Sequence, residues 1–73
     1  MTDLRQSAPT LEVLPLSDHE WRVSDPDRPS NDALCLIGFI ERIGSVFETT
    51  VIGQPLKREY FATLHEAVDS LAR

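Results

Sequence analysis

Residues 33–53 read ALCLIGFIERIGSVFETTVIG, two apolar runs divided at Gly44-Ser45. Each run has the length and the β-branched and aromatic content of a strand, so the stretch reads as a β-hairpin. A loop centred on Ile43-Gly44, over the four residues Arg42 to Ser45, sets Ile40 opposite Phe47, Gly38 opposite Thr49 and Leu36 opposite Val51. One face of the hairpin then carries Leu34, Leu36, Ile40, Phe47 and Val51. The other carries Cys35, Ile37, Phe39, Val46 and Ile52, diluted by Glu41, Glu48 and Thr50. Both faces are apolar, and a small chain with one helix can cover only one of them. Gly38 leaves a gap in mid-strand, which predicts a bulge or a close packing neighbour.

Upstream, TLEVLPL over residues 10–16 alternates as a strand does, and Pro15 confines it to an edge or ends it. Trp21 to Asp25 alternates again. With Ser17 to Glu20 as the loop, Leu16 faces Trp21 and Leu14 faces Val23, so all four share one face. DPDRPSND, residues 25–32, is a connector by composition: its prolines fix φ, and its Asp, Ser and Asn side chains favour local turns. Its carboxylates lack the alternate ligand spacing, central glycine and closing Glu of a calcium loop. Residues 1–9 are polar and aperiodic and read as a flexible tail. The domain is expected over residues 10–73.

Downstream, Gly53-Gln54-Pro55 reads as a strand break and Leu56 to Tyr60 as a charged connector. Thr63-Leu64-His65-Glu66 has the form of a capping box, with Thr63 as the cap and Glu66 at the third helical position. Leu64, Ala67, Val68 and Leu71 then line one face of a helix of about three turns running to the chain end. Phe61, just before the cap, can pin the helix entry to the sheet. The expected fold is α+β: an antiparallel meander of three or four strands with one C-terminal helix packed on one face. Its predicted core is Leu14, Leu16, Trp21, Val23, Leu34, Leu36, Ile40, Phe47, Val51, Phe61, Leu64, Val68 and Leu71.

Size and composition narrow the function. A chain of 73 residues buries only roughly 60% of the surface its unfolded form exposes, which leaves little depth for an active-site cleft. Cys35 is the only cysteine, so neither a disulfide nor a CxxC pair can form within the chain, and a reducing, cytoplasmic setting fits best. No secretory signal, membrane span or lipidation motif is read. Twelve acidic residues against seven basic ones give a net charge of −5, which argues against a phosphate-binding surface. Arginine dominates over the single Lys57, a bias typical of GC-rich bacterial genomes.

No reactive constellation emerges. Cys35 lies between Leu34 and Leu36, the setting of a small core residue rather than an activated thiolate. His19 sits in a turn between Asp18 and Glu20, and His65 on the outer side of the first helical turn. These three residues, on three elements, offer no ligand pair at hairpin or helical spacing, so no metal or other cofactor is expected. Glu41 and Glu48 are the carboxylates nearest apolar neighbours, but neither sits in an evident acid–base pocket. The isolated glycines open no phosphate loop. The chain is therefore read as a non-enzyme.

Trp21-Arg22-Val23-Ser24-Asp25, Gly38-Phe39-Ile40-Glu41 with Phe47-Glu48, and Phe61-Ala62-Thr63-Leu64-His65-Glu66-Ala67-Val68 follow one another in a layout that resembles small uncharacterised actinobacterial-type proteins with an antiparallel sheet and one C-terminal helix. The likeness spans roughly residues 11–72 and implies no particular activity. More distantly the layout resembles the three-strand-plus-helix domains at the N-termini of phage-type integrases, which bind DNA through the sheet. Two expectations follow. The first is a protein-interaction module, homodimeric or bound to another protein, working through Ile37, Phe39, Val46 and Ile52. The alternative is nucleic-acid binding through the sheet by Arg22, Arg42 and Arg58 with an aromatic residue.

Overall fold

A computed structural model describes residues 11–29 and 31–72. Five strands and one helix account for most of them: β1 (Glu12–Pro15), β2 (Glu20–Ser24), β3 (Leu36–Ile43), β4 (Val46–Val51), β5 (Gln54–Phe61) and α1 (Leu64–Leu71). The strands form one antiparallel sheet in the order of the sequence, β1-β2-β3-β4-β5. The fold is α+β, with five strands where three or four were expected. The additional strand is β5, which takes in the expected connector Leu56 to Tyr60, a segment without the apolar alternation that marks a strand. It is an edge strand, and the charges of Lys57, Arg58 and Glu59 suit an edge that must not pair with other chains. The expected tail, residues 1–9, lies outside the described residues.

The β3–β4 hairpin forms, with a tighter turn than expected. Ile43 pairs with Val46, so Gly44 and Ser45 alone make the turn. Gly44 has a φ of +62°, which only glycine adopts cheaply and which a two-residue turn matching strand twist requires at this position. The register therefore moves by two residues: Ile40 faces Thr49, and Arg42 faces Phe47. An even shift keeps each of these side chains on its expected face.

The β1–β2 register moves by one residue, and that reverses β1. Pro15 pairs with Trp21 and Val13 with Val23. Leu14 and Leu16, expected in the core, point to the other face, and Leu16 is 50% exposed. The reason is that the tight loop is Leu16 to His19: the Leu16 and Ser17 amides both donate to the Glu20 carbonyl (2.8 and 3.3 Å). Both alternations of β1 are partly apolar, so Leu11 and Val13 can replace Leu14 and Leu16 against the core.

A bulge corrects the start of β3. Val23 pairs with Gly38 but Ser24 pairs with Leu36, leaving Ile37 unmatched. The extra residue turns Ile37 toward the core, where it packs. Leu36 goes to the other side, beside Ser24 and Arg22. Leu34, expected in the core, lies in a single 3-10 turn over Ala33–Cys35 and is 68% exposed. Asp32 starts that turn by accepting from the Leu34 amide at 2.9 Å.

Helix α1 lies across β3, β4 and β5. Thr63 caps it, its Oγ1 accepting from the Glu66 amide at 3.1 Å. The helix ends after about two turns, sooner than expected, at Leu71. The core is Val23, Ile40, Ala67 and Leu71, ringed by Leu11, Val13, Trp21, Ile37, Phe47, Val51, Phe61, Leu64 and Val68. Trp21 packs its indole on Phe47 at 5.7 Å between ring centres, tilted by 51°. Phe47 in turn pairs with Phe61. No helix among the described residues is long and apolar enough to cross a membrane.

Candidate functional site: the open face of the sheet

The helix leaves the opposite sheet face without a covering element among the described residues. The registers arrange that face in rows running across the strands. One row is Leu14, Arg22, Phe39, Thr50 and Arg58, from β1 to β5. The next, two residues along each strand, is Glu20, Glu41, Glu48 and Tyr60, with Leu16 at its β1 end, held through its amide to Glu20. Beyond this second row lies the hairpin tip, Ile43 and Val46. Beyond the first lie Ser24, Leu36 and Ile52, the last fixed by its amide bond to the Ile37 carbonyl at 3.0 Å.

Of the four residues expected on this face, Phe39 (36% exposed) and Ile52 (45%) are open to solvent, and Val46 is half-buried at the tip. Ile37 does not belong to it, because the bulge sends it to the core. In its place the face gains Leu14, Leu16, Ile43 and Tyr60, all exposed. The three arginines are not brought together. Arg22 and Arg58 share one row with Phe39 between them, while Arg42 follows the Ile40 alternation onto the opposite face.

The second row is the electrostatic surprise. Glu20, Glu41 and Glu48 stand directly opposite one another on three neighbouring strands, an arrangement that is destabilising unless something offsets it. Part of the offset comes from β5: the Tyr60 hydroxyl donates to Glu48 Oε2 at 2.8 Å, and Arg58 approaches the same oxygen at 4.0 Å. These neighbours leave the Glu48 side chain only 13% exposed. In return, the carboxylate holds the Tyr60 phenol in its neutral form, so its pKa rises above 10.0.

At the β2 end of the row, His19 Nδ1 lies 2.7 Å from Asp18 Oδ1 and 3.3 Å from Ser17 Oγ. The hydrogen bond to Asp18 raises the His19 pKa above 6.5, with smaller contributions from the charges of Glu20 and Glu41. The same bond lowers Asp18 below 3.8. One ligand atom each from His19, Glu20 and Glu41 lies within 4.8 Å of the others, so among the described residues these are the ones placed to offer ligands to a cation. All three are exposed, and exposed acidic groups commonly stand solvated.

Among the described residues, Cys35 and His19 stand far apart on the sheet. Cys35 lies at the end of the β2–β3 ladder where Asp25 donates its amide to the Cys35 carbonyl (2.7 Å), and His19 lies at the other end, its carbonyl bound by the Arg42 amide (2.8 Å). His65 stays on the helix surface beside Asp69 (3.4 Å). A 620 Å³ cavity opens between the sheet and the connector, lined by Glu12, Arg22, Asp25, Arg28, Asp32 and Leu36, among others. Arg28 is engaged there by Asp25 (3.8 Å) and Asp32 (3.3 Å), so the cavity is a charge-paired cleft rather than a basic pocket.

Comparisons with protein-family models, with curated proteins and with solved structures found no match.

Proposed function

We propose that this chain is a non-enzymatic protein-interaction module that pairs with a second copy of itself through the open face of its sheet, in a reducing cytoplasmic setting. The observation that supports the reading is the one-sided helix. The helix covers the Ile40 face, while Leu14, Leu16, Phe39, Ile43 and Ile52 remain exposed on the other. Scattered exposed apolar residues are ordinary, but a set gathered on one sheet face marks an interaction surface. Multi-angle light scattering across a concentration series tests it. A dimer that dissociates on Phe39→Ser is expected, and a monomer at every concentration refutes it.

Nucleic-acid binding is the second reading, favoured by one row: two guanidiniums on either side of Phe39 across an open antiparallel sheet. The adjacent carboxylate row and the net charge of −5 oppose a polyanion. Titration with single-stranded DNA and RNA at low ionic strength decides it. Binding that weakens steeply with salt and is lost on Arg22→Ala would displace the first reading.

A further inference from the structure

We draw no further inference here: the strongest candidate, the side-chain cluster of His19, Glu20 and Glu41 where β2 runs beside β3, carries nothing, because its members are exposed, two of the three are carboxylates of a kind that commonly stand solvated, and nothing else in the structure points to an ion there.

Discussion

Gly38→Ala offers the sharpest test of the sheet as described. A Cβ built at Gly38 would lie 2.3 Å from the backbone oxygen of Thr50 and 3.5 Å from Leu71 Cδ2. The first distance is about 1.1 Å short of the 3.4 Å at which ordinary contact begins. The obstacle is the main chain of the paired strand, so no side-chain rotation relieves it. Either β4 moves away from β3 beside the Gly38–Val51 pair, or β3 is pushed into the helix at Leu71. Overpacking of this kind costs about 1–3 kcal/mol, and a weakened ladder bond adds about 0.5–1.5 kcal/mol. A total of about 2–4 kcal/mol is a large share of what a chain of 73 residues can hold, about 4–11 kcal/mol. Urea titration followed by Trp21 fluorescence measures it. At about 4–8 °C per kcal/mol, the thermal midpoint should fall by at least about 8 °C. Gly44→Ala is the control: its φ is positive, nothing lies within 4 Å of the added Cβ, and only the conformational cost of about 1–2 kcal/mol applies. A Gly38→Ala loss no greater than that of Gly44→Ala would refute the close approach of the two strands.

Three further outcomes follow from named contacts. Thr63→Ala removes the acceptor for the Glu66 amide and should cost about 1 kcal/mol by thermal denaturation, with no cost meaning that the cap does not hold the helix. For the Asp18–His19 pair the sign runs both ways. The raised His19 pKa contributes stability below 6.5 that is lost as pH rises through the folded value, and the lowered Asp18 pKa contributes stability above 3.8 that is lost as pH falls through its folded value. The stability difference between wild type and Asp18→Asn should therefore peak between those limits, and a difference independent of pH would contradict the hydrogen bond. Tyr60 should ionise above pH 10.0 by phenolate absorbance and return toward it in Glu48→Ala, because the carboxylate at 2.8 Å holds the proton; an unchanged titration would place Glu48 elsewhere.

Much of the architecture was legible where one residue type has one local consequence. Thr63, Phe61 and the Leu64–Ala67–Val68–Leu71 stripe announce the helix and its docking. Gly38 announces a close neighbour, supplied by the Thr50 carbonyl and Leu71. The misreadings share a cause, which is that register is not local. On β1 both alternations are apolar enough to bury, so the choice fell to two amide bonds to Glu20 that no pattern displays. At Ile37 a single unmatched residue exchanges the faces of Leu36 and Ile37. The carboxylate row was hidden for the same reason: a four-residue loop sets Glu41 against Val46, whereas the Gly44-Ser45 turn sets it against Glu48. The glycine first in a two-residue turn was the signal available. β5 was missed because its exposure leaves no apolar period to read.

The order of the strands carries a consequence for how the molecule comes together and apart. Every strand pairs with its neighbour in sequence, so each pairing closes only a short loop of chain, and topologies of low contact order fold fast. The hairpin at Gly44 can form first, β5 and the helix can dock on one side of it, and β2 followed by β1 can add on the other. Dissolution should retrace that accretion. β1 holds four residues, binds β2 alone within the sheet and lies away from the strands the helix mainly covers, so its amides should exchange with solvent soonest. The slowest amides should be those of β3 and β4 beneath Ala67 and Leu71, which gives the sheet a gradient of protection from one edge inward.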